Sequence, residues 1–140
     1  MIQTVTLSIR GQQSYPGQEP DVLELVTEGT LEEIQNGWKL CYEESELTGL
    51  AGVSTTFQIQ GTTVTLIRTG KLNSQMVFEE GIPHDSLYEM EFGALMLTVC
   101  ALQVKTNLSE TGGTIDLKYS IEVEHNAAGM IDYHLDIRTK

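Results

Sequence analysis

With 140 residues, the chain has room for one domain, spanning 1–140, and not for two. A hydrophobic fraction of 40% supports a core, and twenty acidic against eight basic residues leave a net charge of −12. That balance argues against nucleic-acid backbones and anionic membranes as partners, because both reward Lys and Arg.

The N-terminal run Met1-Ile2-Gln3-Thr4-Val5-Thr6-Leu7 alternates apolar and polar residues. A signal peptide needs an unbroken apolar run of about 7–15 residues behind positive charge, so none is expected here. The longest apolar stretch, 94–102, is broken by Thr98 and falls short of the roughly 18 residues of a membrane span. A soluble, cytoplasmic protein is the expectation. Cys41 and Cys100 form no CxxC motif, and two buried thiols are expected rather than a disulfide.

Period-two alternation, the mark of half-buried strands, recurs along the chain. In order, it predicts strands over 2–10, 22–33, 38–44, 53–60, 62–69, 72–79, 85–92 and 95–108. The clearest two follow: Ile115, Leu117, Tyr119, Ile121 and Val123, then Ile131, Tyr133, Leu135 and Ile137, each interleaved with polar residues. A loop over 125–129 joins them, and residues 11–19 read as a polar loop. Glycines punctuate the gaps, and Pro16, Pro20 and Pro83 fall between strands. Asp21-Val22-Leu23-Glu24 also fits a helical capping box, but Thr27, Gly29 and Thr30 weaken a helix there and favour a strand. A single helical turn is the alternative over 43–47.

No gap holds a crossover helix, so parallel βαβ units are excluded. The fold class is all-β: a single antiparallel meander of about 8–10 strands closing on itself, because closure removes exposed edges. A sandwich is the competing architecture. One-face alternation assigns Val5, Leu7, Ile9, Leu40, Val64, Leu66, Phe78, Phe92, Leu97, Leu117, Ile121, Tyr133 and Leu135 to the core.

Motifs for chemistry are missing. Gly70-Lys71 lacks the glycine spacing of a Walker loop, and GxGxxG, HExxH and GxSxG do not occur. His84, His125 and His134 are scattered and read as surface residues, so no metal cluster and no cofactor is expected. The pairs Glu32-Glu33, Glu43-Glu44 and Glu79-Glu80 point to opposite faces of a strand and cannot share a catalytic site. What survives is a set of polar residues in register with apolar rows. Arg68 continues Val64 and Leu66, Glu44 continues Trp38, Leu40 and Tyr42, Tyr88 runs with Met90 and Phe92, and Met76 runs with Leu72, Ser74 and Phe78. If those rows point inward, Arg68, Tyr42, Glu44, Tyr88 and Met76 line a mostly apolar small-molecule pocket. A filled core with charges at the strand ends explains the same rows. Arg68 cannot shed its charge, so a buried guanidinium needs a carboxylate or several acceptors; Glu44 is the predicted partner, with Tyr42 supplying a further oxygen. The alternative is that Arg68 merely caps the barrel floor.

Several blocks carry a resemblance: Leu40-Cys41-Tyr42-Glu43-Glu44, Leu66-Ile67-Arg68-Thr69-Gly70, Met76-Val77-Phe78-Glu79-Glu80-Gly81, and 88–97 with its Phe92-Gly93-Ala94-Leu95 core. In order and spacing the chain resembles the YwiB-like family, a bacterial domain of unknown function. The resemblance implies a calycin-like (lipocalin-like) antiparallel barrel of cytoplasmic proteins. It brings no activity, cofactor or catalytic residue with it.

Three functions compete. The first is a binding module holding a small, partly apolar or anionic molecule in the barrel interior. The second is an interaction protein whose acidic outer wall meets a basic partner. An enzyme comes last, because no nucleophile–base pair can be named.

Overall fold

Alternation of apolar and polar side chains propagates through ten strands, and each turns one row of apolar residues to a common interior. In the computed structural model these are β1 (Ile2–Ser14), β2 (Asp21–Ile34), β3 (Gly37–Glu43), β4 (Val53–Gln60) and β5 (Thr63–Gly70). They continue as β6 (Ser74–Phe78), β7 (Pro83–Met90), β8 (Gly93–Ser109), β9 (Gly112–Val123) and β10 (Asn126–Thr139). The structure describes the chain except residues 1, 15, 16, 18, 46–49, 91, 92, 125 and 140, and the side chains of 127 and 128. No helix occurs among the described residues, hence none long and apolar enough to cross a membrane.

All ten strands belong to one sheet in the order β6-β5-β4-β3-β2-β1-β10-β9-β8-β7. Every ladder is antiparallel, and only the β1–β10 pairing joins strands distant in sequence. The two end strands, β6 and β7, meet through an isolated bridge in which the Asn73 and Glu89 backbones exchange hydrogen bonds of 2.9 and 2.8 Å. A second bridge, Glu79 to Ile82, closes the turn between them. The sheet thus curls into a nearly closed antiparallel meander barrel, as the alternation predicted, and not into a sandwich.

The core sits mainly in one half of the barrel. Leu7, Leu31, Leu40, Phe57, Val64, Phe78, Val99, Ile115, Leu135 and Ile137 are almost wholly buried there. Ten of the thirteen predicted core residues are buried. Ile121 and Tyr133 are only half-buried, because they face an open space rather than packed neighbours. Phe92 lies outside the described residues.

Several boundaries differ from the expected ones. β1 runs on to Ser14, through part of the presumed 11–19 loop, because Gly11 to Ser14 pair with Tyr133 to Met130 on β10. Segment 21–34 is a strand and not a capped helix. Pro83 opens β7 instead of preceding it, a tolerated place on an end strand. β10 begins at Asn126 and carries a register shift between Ala127 and Gly129, so the 125–129 loop is shorter than predicted. The possible turn over 43–47 falls largely outside the described residues. Cys41 and Cys100 are free and half-buried, not buried, since both alternate with core residues onto the outer face. His84 and His134 are partly exposed, and each meets a carboxylate, Glu79 and Asp116 respectively.

Candidate functional site

The open half of the barrel holds a cavity of about 590 Å3. The ends of β1 and β9 and the starts of β2, β8 and β10 form its walls, with Arg68, Met76 and Tyr88 reaching in from β5, β6 and β7. Leu97, Ile121, Val123 and Ile131 make much of the lining apolar, and Val22, Leu23 and Leu95 are exposed at its mouth. The volume falls within the usual range of about 300–1,000 Å3 for small-molecule pockets.

An aromatic layer divides this cavity from the packed half. Tyr42 stacks near Phe57 with ring centroids 6.5 Å apart, and Phe57 lies 6.0 Å from Tyr133. Tyr119 leans on Phe78 at 4.6 Å. The Tyr42 and Tyr133 hydroxyls hydrogen-bond at 3.0 Å, which satisfies two polar groups that alternation alone would leave stranded. Burial pushes all three tyrosines above the ordinary value of about 10. For Tyr42, neighbouring Tyr133 and the Glu44 charge add to that rise, while Arg68 opposes it. For Tyr133, the hydrogen bond with Tyr42 and the Arg68 charge oppose the effect of burial. At neutral pH these are neutral hydroxyls, able both to donate and to accept.

Gly29 explains how Tyr42 fits. It stands opposite Tyr42 on β3 and Val5 on β1, so it shares their inward face. A Cβ there would lie 2.4 Å from the Cys41 carbonyl oxygen and 3.1 Å from Leu7 Cδ1 and Tyr42 Cβ. Only a residue without a side chain lets β2 and β3 approach this closely.

Among the described residues, Arg68 is the one cation that lines the cavity. Its Nε lies 3.9 Å from Glu44 Oε2, with the side chains only 15% and 2% exposed. Glu44 is fixed from the other side, where Thr55 Oγ1 donates a 2.5 Å hydrogen bond to the same oxygen. Its neighbour Glu43 points outward and accepts from Ser54 instead, as strand alternation requires. The pair predicted from the sequence is therefore present, but at ion-pair distance rather than hydrogen-bond distance. Arg68 Nε has no hydrogen-bond partner within the protein. Tyr42 does not supply the further oxygen expected of it, because its hydroxyl bonds to Tyr133.

Of the five site residues expected from sequence, Arg68, Met76 and Tyr88 line the cavity. Tyr42 and Glu44 stand behind the lining and hold Tyr133 and Arg68 in place. Sequence reasoning missed Tyr119 and Ile131 as lining residues and treated Tyr133 and Ile121 as packed core. Inward alternation was their only signal, and it says nothing of depth along the barrel.

The domain family DUF1934, described as a domain of unknown function, matches residues 7–137. The chain belongs to the DUF1934 family. Among solved structures, this DUF1934 domain is similar to the YwiB protein from Bacillus subtilis, with a TM-score of 0.89 and 23% identity. The likeness covers 99% of this chain and 93% of that one, and it shows a shared barrel fold. No curated protein matches the chain.

Proposed function

We propose that this DUF1934 barrel is a non-enzymatic binding module that holds a small, partly apolar molecule in its open half. The observation that carries the proposal is the cavity of about 590 Å3, mostly apolar and with Arg68 as its cation. Well-packed interiors rarely leave such volume, whereas ligand sites combine apolar walls with a few placed polar groups. Arg68 and the neutral hydroxyls near it orient the ligand, and the apolar walls supply most of the affinity. A cytoplasmic setting belongs to the same proposal and rests on the family resemblance alone.

The test is binding of a neutral apolar dye, Nile red, to the full chain, alongside native mass spectrometry and a thermal-shift screen of small metabolites. Saturable dye fluorescence and at least one metabolite that raises Tm are expected. If the dye does not bind and no compound raises Tm, the binding-module reading fails. The net charge of −12 favours a second reading, in which the acidic wall engages a basic partner. A partner captured from lysate at low salt and lost at high salt, with an unresponsive interior, would favour it.

A further inference from the structure

Among the described residues, three buried side-chain polar atoms lack a hydrogen-bond partner within the protein: Arg68 Nε, Ser74 Oγ and Ser86 Oγ. Buried polar groups are satisfied in the great majority of cases, so each exception calls for a cause. These three are not scattered. They line one cleft of about 470 Å3 along the seam between β6 and β7.

The sheet topology brings them together. Ser74 stands directly across from Arg68 in the β5–β6 ladder. On β7, Ser86 shares a face with Tyr88, two residues on, which lines the interior cavity. On β6, Ser74 shares its inward face with buried Met76 and Phe78. Between Ser74 and Phe78 the seam carries no ladder, because β6 and β7 are joined only by the bridges at Asn73–Glu89 and Glu79–Ile82. The strands are bridged at both ends and form no ladder between, and there the unpartnered groups lie.

All three groups can donate hydrogen bonds, and one carries a fixed positive charge. Donors without acceptors, grouped around a guanidinium, fit an oxyanion. The outer part of the same cleft bears Asp85 and Glu89, both exposed, so an anion is repelled from outside. Arg68, however, lines the interior cavity as well as the seam. We infer that Arg68, Ser74 and Ser86 form an oxyanion site, entered from the barrel interior, that takes the carboxylate or phosphate of an amphiphile. Its apolar body lies in the interior cavity, a part of the inference that rests on the proposed function. Glu44 Oε2 stands 3.9 Å from Arg68 Nε, beyond hydrogen-bond distance. The Nε–H is therefore unbonded within the protein, but an oxyanion must take it beside a buried carboxylate.

The experiment uses the full chain and four probes: inorganic phosphate, acetate, dodecanoate and neutral Nile red. Dodecanoate should bind at least tenfold more tightly than acetate and should displace the dye. Ser74→Ala and Ser86→Ala should each weaken dodecanoate by about tenfold or more, since hydrogen bonds to a charged group are strong. Without anion, both variants should melt no lower than the parent, because each loses a hydroxyl that has no partner. Dye binding with no dodecanoate binding, or with dodecanoate affinity unchanged in both variants, overturns the oxyanion site and leaves the apolar binding module standing. Phosphate binding that the serine variants abolish, without dye binding, upholds the oxyanion site and removes the interior ligand instead.

Discussion

The two halves of this barrel share most of their strands and the same alternation, yet one is filled and the other open. In the filled half, leucine, isoleucine, valine and phenylalanine from facing strands meet with no accessible surface left. In the open half, inward positions fall to Gly11, Gly129 and residues at the mouth, and no opposing side chains fill the space. Between them stand four rings, the wholly apolar Phe57 and the tyrosines Tyr42, Tyr119 and Tyr133, of which Tyr119 and Tyr133 reach the cavity. The comparison teaches that, in the strands the two halves share, dense burial belongs to one end while the other end borders open space. The halves should therefore respond differently to substitution.

The largest effect is expected at the junction, in the Arg68–Glu44 pair. Arg68→Leu leaves the Glu44 carboxylate buried without its cation and should cost about 3–5 kcal/mol. Glu44→Leu should cost a similar amount, because the guanidinium is then uncompensated. The double variant should regain most of the loss, since an apolar pair suits this site. Urea unfolding of the three variants gives the coupling energy; additive, near-zero changes would mean that the pair contributes nothing across the boundary.

Next comes truncation of matched residues in the two halves. Leu135→Ala, in the filled half, should cost about 2–5 kcal/mol through lost contacts and a new cavity. Ile131→Ala lies on the same strand but borders the existing cavity, so it should cost clearly less. Equal losses would show that the open half is packed in solution. Exposed Lys118, between buried Leu117 and Tyr119, sets the baseline: its replacement by Ala should change stability by under about 0.5 kcal/mol.

The tyrosine layer predicts a pH dependence. In the unfolded chain, tyrosines ionise near pH 10, whereas burial holds Tyr42, Tyr119 and Tyr133 neutral to higher pH in the fold. Below about pH 10 the layer's contribution is fully present. Above it the unfolded state sheds protons that the folded state retains, so stability falls as pH rises. Each tyrosine contributes a slope of up to about 1.4 kcal/mol per pH unit in that window. Urea midpoints at pH 9, 10 and 11 measure the fall, and Tyr119→Phe should reduce its steepness. A flat profile would place the tyrosines in contact with solvent.

How much of this was legible in the sequence follows from what alternation encodes. Period two shows which residues face inward, so the antiparallel strands and most of the core could be read directly, whereas the division into a filled and an open half could not. Arg68 and Glu44 each extend an inward apolar row near a strand end, which made Glu44 the candidate partner, and the structure places the two 3.9 Å apart. Alternation fails where it changes phase. On β8 the pairing shifts between Ala101 and Gln103, so Leu102 points outward as the extra residue and Val104 resumes the inward row. The seam was illegible for another reason. Ser74 and Ser86 belong to strands that meet only when the whole barrel closes, and no local pattern tells how incompletely they pair.

The smallest effect sharpens the comparison through glycine. Gly11 pairs with Tyr133 at the cavity wall, and a Cβ there would meet the Tyr133 ring at 3.6 Å, ordinary van der Waals contact. Its backbone is not in the left-handed region, so alanine fits without strain. Gly11→Ala should therefore stabilise the fold by about 0.4–1 kcal/mol, chiefly by restricting the unfolded chain. It also adds a methyl group to the wall of the cavity, so Nile red or dodecanoate should bind more weakly to this more stable variant. Gly29→Ala must instead push a methyl group toward the Cys41 carbonyl, and it should destabilise. Opposite signs for the two alanines, read as Tm shifts, would show the free space on one side of the tyrosine layer and its lack on the other. A loss of stability in both would mean that Gly11 is as tightly enclosed as Gly29, and that the cavity is narrower than its lining suggests.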